Sequence, residues 1–313
     1  MAVLGIDIGG TNIEFGIVSE DGNIRFQQSV ATSLFHSPEE ILLYIRQILK
    51  DRKTDYHHIG IGVPNGNSQT GEIQHAPNLP WKGIIPLREI AENIFKKQTY
   101  VTNDANAAAF GEMLYGHAKD LSNFVTITLG TGLGSGIVIN KEVLTGGHGI
   151  AGEFGHIRVI REGRKCNCGR YGCLERYASA TGMLESFREL QSPSKANSSL
   201  FLYPDLTAKD IFEEASKGDV FSMEIVEYTA SVLGNALADF AAFSDPEAFI
   251  LFGGIARSGP FFISKVQNIM DDNLLNIYKG KVDLRVSGLH NVNVAILGAA
   301  ASATWQFSNR NKS

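Results

Sequence analysis

The chain opens with apolar residues spaced by single polar or glycine positions, a period of two, and then shifts to a period near 3.6. Residues 2–31 predict three strands: VLGIDIG and IEFGIV around GTN, then IRFQQSVA after the turn EDGN. SPEEILLYIRQILKD sets a serine and a proline ahead of apolar residues at helical spacing, which predicts a helix. HIGIGVP predicts a short buried strand, PLREIAENIFKK a helix, TYVTND a strand ending on polar residues, and ANAAAFGEMLYG a helix of small residues. The pattern then repeats. NFVTITLG and SGIVINKE predict strands around a glycine-rich turn, and residues 175–190 and 207–244 read as mostly helical. EAFILFGG predicts a strand, GPFFISKVQNIMDDNLLNIY a helix, KVDLRVS a strand and VAILGAAASATWQF a last helix. Only LQSPSKANSS (190–199) and the final few residues read as flexible loop or tail.

Two α/β halves emerge, each opening with a hairpin that carries a Gly/Thr turn. A length of 313 residues also favours two domains over one core. We place the first at 1–116 with a C-terminal helix (about 294–313) returning to it, and the second at 117–293. The net charge of −5 without any Lys/Arg-rich run gives no electrostatic footprint for nucleic acid or an anionic membrane. MAVLGIDIGG reads as a strand rather than a signal peptide, and no apolar stretch is long enough to span a bilayer. Three cysteines cannot all pair within one chain, so a cytoplasmic location and a metal site are the natural expectations.

The two turns carry the first candidate chemistry. Gly9, Gly10, Thr11 and Asn12 lie between strands, as do Gly130, Thr131, Gly132 and Gly134. Glycine lets backbone N–H groups approach an anion, and threonine adds a hydroxyl donor. Each turn alone is equally well an ordinary hairpin; together, with Asp7 just ahead of the first, they favour a polyphosphate site. No G-x-x-x-x-G-K-[ST] occurs, and GTGLGSG runs into a strand where a dinucleotide fingerprint must open a helix. Gly253–Gly254, between a strand and a helix, reads either as a resting place for a nucleotide base and ribose or as chain punctuation.

Asn103 and Asp104 end the strand TYVTND, and a helix starts from them. Asp104 suits a helix N-cap, and it equally suits a carboxylate facing the ligand crevice of an α/β sheet, where it would take a proton during phosphoryl transfer. His156, Cys166, Cys168 and Cys173 form a Cys₃His set with no open position, which favours structural tetrahedral zinc over reduced thiols, with Gly169 and Gly172 allowing the sharp turn. A deaminase-type catalytic zinc is excluded, since neither His-x-Glu nor Pro-Cys-x-x-Cys occurs. Trp81 and Trp305 read as packing, with Trp81 kept as a minor ligand-contact candidate; His57, His58, His75, His117, His148 and His290 receive no role.

Taken together, GIDIGGTN, NDANAAAFGE, TLGTGLGSGIVI, ILFGGIARSG and VAILGAAASA resemble the phosphate, connecting and adenosine motifs of the ROK family (repressors, open reading frames, kinases), within the actin/hexokinase/Hsp70 ATPase superfamily. GHGIAGEFGHIRV followed by CNCGRYGCLERYAS is similar to that family's own signature. The resemblance implies two ribonuclease-H-like, actin-like ATPase lobes with an interlobe active-site cleft and a zinc-binding segment at 153–175. It implies an ATP-dependent hexose kinase, a glucokinase above all, with Asp104 as base. Asn78, Asn103, Glu153, His156 and Glu175 would bind the sugar, Asp7 would help hold Mg²⁺, and the two turns with Gly253 and Gly254 would bind ATP. A homodimer, or a tetramer, is the implied assembly. Family glucokinases usually carry Gly-Val-Pro-Gly-Pro where this chain reads GVPNGN, so Asn65 replaces a glycine near the sugar. N-acetylglucosamine, N-acetylmannosamine, mannose, allose and fructose therefore stay open as substrates. A sugar-responsive regulator of the same family and an actin-like or chaperone-like ATPase are the rivals; the lack of a DNA-binding block and the acidic balance oppose the first, and the Cys₃His segment the second.

Overall fold

The computed structural model describes residues 2–52, 55–289 and 292–309, so His290 and the tail beyond 309 lie outside the described residues. The chain divides into two compact units: Met1–Leu121 with Gly136–Gly152 and Ser287–Ser313, and Ser122–Ser135 with Glu153–Val286. Among the described residues no helix is long and apolar enough to cross a membrane.

The first unit holds β1 (Ala2–Ile8), β2 (Asn12–Ser19), β3 (Ile24–Ala31), α1 (Pro38–Asp51) and β4 (His58–Gly62). The short strands β5 (Ile73–Gln74) and β6 (Ile84–Ile85) precede α2 (Leu87–Phe95), β7 (Thr99–Thr102) and α3 (Asp104–Tyr115). The five-stranded sheet runs β3-β2-β1-β4-β7, with the β1–β2–β3 meander antiparallel and β4 and β7 parallel to β1. Helix α1 begins where its sequence says: the Ser37 hydroxyl accepts the Glu40 N–H at 3.2 Å, and Pro38 takes the first turn. Its apolar stripe, Ile41, Leu42, Ile45 and Leu49, is buried with Phe15, Ile61 and Val101 in one core.

The second five-stranded sheet repeats that order as β10-β9-β8-β11-β12. Its elements are β8 (Phe124–Leu129), β9 (Leu133–Ile139), β10 (Glu142–Val143), α4 (Ala180–Glu189), α5 (Ala208–Ser216), α6 (Val220–Ser244), β11 (Ala248–Phe252), α7 (Pro260–Asn273) and β12 (Asp283–Val286). Helix α7 stops at Asn273, short of the expected Tyr278, because Leu274 turns extended (φ −60°, ψ 140°). Residues 190–199 are not a loose loop. They wind into two 3-10 turns, tied down by the Ser198 hydroxyl and Ser199 N–H donating to Asp219 at 2.9 and 3.0 Å.

The last helix, α8 (Val294–Asn309), lies across β1 and β4. Gly5 and Gly60 permit that approach, since a side chain on either would strike the carbonyls of Ile296 and Ala299. The small residues of GAAASA serve the same closeness from the helix side.

Candidate active site

In the first unit the turn after β1 is tied from behind. Gly9 N–H donates to the Asn12 carbonyl at 2.9 Å, and the Thr32 hydroxyl and N–H donate to the carbonyls of Gly9 and Thr11 at 2.7 and 2.9 Å. Gly10, Thr11 and Asn12 stay exposed. The Asn78 carbonyl oxygen lies 2.5 Å from where a Cβ on Gly10 would stand, so glycine is required there, and Asn78 sits beside the turn. Asp7, half-buried near the end of β1, has its Oδ1 3.2 Å from the Cβ position of Gly62. Burial, then the charges of Asp104 and Glu14, push its carboxyl up to about 8.

The N-cap of α3 is Asn103, not Asp104. Asn103 has the extended backbone of a cap (φ −67°, ψ 150°), and its Oδ1 accepts the N–H groups of Ala105 and Asn106 at 2.7 and 3.2 Å. Asp104 is thereby displaced into the helix as its first residue. It is exposed, and one of its oxygens accepts the Ala105 N–H at 2.8 Å. The surrounding protein still raises its carboxyl above the ordinary range, against the pull of that N–H. Two carboxylates in this unit, Asp7 and Asp104, thus have raised pKa values, and the charge of Asp104 contributes to the shift of Asp7.

In the second unit Gly130 N–H donates to the Gly132 carbonyl at 3.0 Å and Gly134 N–H to the Thr128 hydroxyl at 3.0 Å. Glu175 accepts the Leu133 N–H at 3.1 Å and lies against Gly132, where a side chain would strike its carboxylate. The Thr181 hydroxyl donates to the Thr131 carbonyl at 2.6 Å. The turn is therefore built on the segment 175–181. Gly253, at φ 108°, has the Leu129 carbonyl pressed against its Cα and serves packing. Gly254 and Gly130 instead face open space and line a cavity of about 650 Å³ with Ala180, Thr207, Phe212 and Arg257. Arg257 falls within the quoted adenosine motif; Thr207 and Phe212, at the head of and within α5, carry no signal in the sequence that marks them.

The segment Glu153–His156 lies along the start of β9: Phe154 N–H donates to the Ser135 hydroxyl at 3.2 Å, and Gly155 abuts the Leu133 carbonyl. Glu153 itself is exposed. Beyond it, a small hairpin pairs Lys165 with Tyr171 and Arg158 with Cys173, and both Gly169 (φ 88°) and Gly172 (φ 75°) take the left-handed conformation expected of them. This gathers one donor atom each from His156, Cys166, Cys168 and Cys173 within 4.8 Å of one another. Cys166 Sγ stands 3.7 Å from His156 Nδ1, and Cys168 Sγ 3.6 Å from Cys173 Sγ. Ligand bonds of about 2.0–2.3 Å in a tetrahedron give edges of roughly 3.5–3.8 Å, so the donors fit zinc. Burial, then hydrogen bonds among the thiols, hold Cys173 up to about 12. Burial opposes ionisation of Cys168 too, but the Arg170 backbone and guanidinium outweigh it and bring that thiol to about 6.

Residues 3–305 match the ROK family from end to end. The chain belongs to the ROK family. Among its ROK relatives is the glucokinase of Halalkalibacterium halodurans, 35% identical over 300 residues, covering 92% of this chain and 91% of that one. The xylose repressor of Caldicellulosiruptor bescii is 29% identical over 296 residues, covering 90% of this chain and 74% of the repressor. A ROK glucokinase from Streptomyces griseus, solved with glucose and AMPPNP, superposes with a TM-score of 0.81 at 32% identity, covering 97% and 100% of the two chains. The fold is accordingly the actin-like ATPase fold of the ROK sugar kinases. At the position where Asn65 departs from the usual ROK glycine, the backbone keeps a left-handed φ of 54°. Asparagine tolerates that region better than other side chains. Its Nδ2 also donates to the carbonyls of Gln74 and His75 at 3.0 and 3.3 Å, so the exchange leaves the turn's conformation open to it.

Proposed function

We propose that this ROK protein is an ATP-dependent hexose kinase acting on glucose, and that Asp104 is its base. The observation that carries the reading is Asp104 itself: an exposed carboxylate at the head of α3, relieved of capping by Asn103 and with a raised proton affinity. Such a group takes the proton of the sugar 6-hydroxyl as that oxygen attacks the terminal phosphorus. Asn78, Asn103, Glu153, His156 and Glu175 hold the sugar. The N–H groups of Gly10, Thr11, Thr131 and Gly132, with the hydroxyls of Thr11 and Thr131, hold the phosphates, while Gly9, Gly130 and Gly134 close the turns through their own N–H groups. The base and ribose enter the cavity beside Gly254. Mg²⁺ arriving with the nucleotide would offset phosphate charge, and the carboxylate of Asp7 would hold it through water. Zinc held by His156, Cys166, Cys168 and Cys173 would fix the segment bearing Glu153 and Glu175. A cytoplasmic homodimer is the assembly we propose.

Asn65 keeps the other hexoses in view, and the xylose repressor relatives keep a sugar-responsive regulator as the lesser alternative. A coupled assay of ATP turnover across glucose, mannose, allose, fructose and the two N-acetylated hexosamines tests the reading. Turnover should rise sharply with glucose and fall about 10²–10⁴-fold in Asp104→Asn, while that variant still binds glucose and ATP. Turnover indifferent to every hexose, or undiminished in folded Asp104→Asn, contradicts it.

A further inference from the structure

Asn67 received no role from the sequence. Its side chain is buried at 2% exposure, and its carboxamide is used on both ends. Oδ1 accepts the N–H groups of Gln69 and Thr70 at 2.9 and 3.2 Å, closing its own turn. Nδ2 donates at 2.7 Å to the carbonyl of His148, 81 residues further along the chain, and more weakly at 3.4 Å to Gln74. Gly149, at φ 77°, leaves room for the carboxamide; a side chain there would strike it. A second amide reinforces the link, since Gln69 Nε2 donates to the Gly146 carbonyl at 2.6 Å. The turn 65–75 is thus fastened to the loop 146–149 by two side-chain amides that point the same way.

Each partner leads directly to a residue that the proposed function gives to the sugar. Beyond Gln74, the chain runs through His75–Pro77 to Asn78, lodged against Gly10. Beyond Gly149, it runs through Ile150–Gly152 to Glu153. We infer that Asn67 is a positioning residue for the hexose, setting sugar affinity by fixing the turn that leads into Asn78 and the loop that leads into Glu153, without touching substrate. The inference rests on the kinase reading above.

Asn67→Asp is the informative variant. An aspartate keeps the acceptor that closes the 67–71 turn and replaces the donor to His148 with a second acceptor. Losing a buried hydrogen bond and opposing two acceptors predicts a rise of roughly tenfold or more in the KM for glucose. The KM for ATP should stay within about twofold, because the hydrogen bonds that tie the phosphate turns, Gly9 to Asn12, Thr32 to Gly9 and Thr11, and Gly130 to Gly132, do not involve Asn67 or its partners. Gln69→Leu should raise the glucose KM in the same direction by a smaller factor. Glucose KM within twofold of wild type in Asn67→Asp overturns the inference, as does a parallel rise of both KM values, which marks general loss of structure. Should Asn67→Asp not fold, Gln69→Leu decides: an unchanged glucose KM overturns the inference and a selective rise supports it. Wild-type protein without hexose-dependent ATP turnover refutes the kinase reading and takes this inference with it; a selective glucose effect supports both.

Discussion

Asp7→Asn should make this protein more stable above neutral pH while damaging its activity. The unfolded chain releases the Asp7 proton near 3.8, whereas the folded protein keeps it to about 8. Between those values the folded state binds more protons, so stability is lost as pH rises through that window. Carried in full, the gap corresponds to about 6 kcal/mol. Asp7 is only half-buried, and solvent screening makes that figure an upper bound. For a chain of this size the bound is about 9 °C in Tm. The assay is thermal unfolding of wild type and Asp7→Asn in chelator from pH 5 to 9. The variant's advantage should be small at pH 5, grow steadily to about pH 8 and then level off. An advantage that is absent, or the same at pH 5 and pH 9, refutes the reasoning. Wild type should also gain more thermal protection from Mg²⁺ with ATP than the variant does.

Gly254→Val places a side chain in open space within the 650 Å³ cavity, at a backbone φ that any residue adopts. It should leave Tm unchanged and raise the KM for ATP by about tenfold, with glucose affinity kept; unaltered nucleotide affinity by calorimetry would contradict the cavity's role. Elemental analysis should find about one zinc per chain, lost in Cys168→Ser. That variant should stay folded, because Arg164 independently anchors the segment through the carbonyls of Arg176 and Gly182 at 2.6 and 2.9 Å. It should lose glucose affinity and keep ATP affinity, and an unchanged glucose KM would return the cysteines to plain thiols.

The alternation of apolar residues, the serine–proline start of α1 and the paired Gly/Thr hairpins made both sheets legible, since each of these signals is local. The His/Cys cluster was equally legible, because three of its four members lie within eight positions. What escaped depends on partners distant in sequence. Residues 190–199 have the composition of a free loop, and partners well beyond them in the chain, Glu214, Asp219 and Glu224, hold them in place. Asn103 and Asp104 are both good capping residues; which one caps is decided by backbone angles that neither side chain announces. Asn67 carries no mark in the sequence of the hydrogen bond that it sends across to His148, 81 residues on.

The crossing of α8 over β1 and β4 has a bearing on how the chain is made. A ribosome releases residues 2–121 early, yet the sheet they form lacks the helix that covers Gly5 and Gly60 until residue 309 has been added. Residues 153–286, by contrast, are all available before α8 exists. At about 5–20 residues per second, the unit begun first waits at least some ten seconds with its central strands bare on one face. Free chains truncated before residue 294 should therefore present a folded second unit beside an unfinished first one.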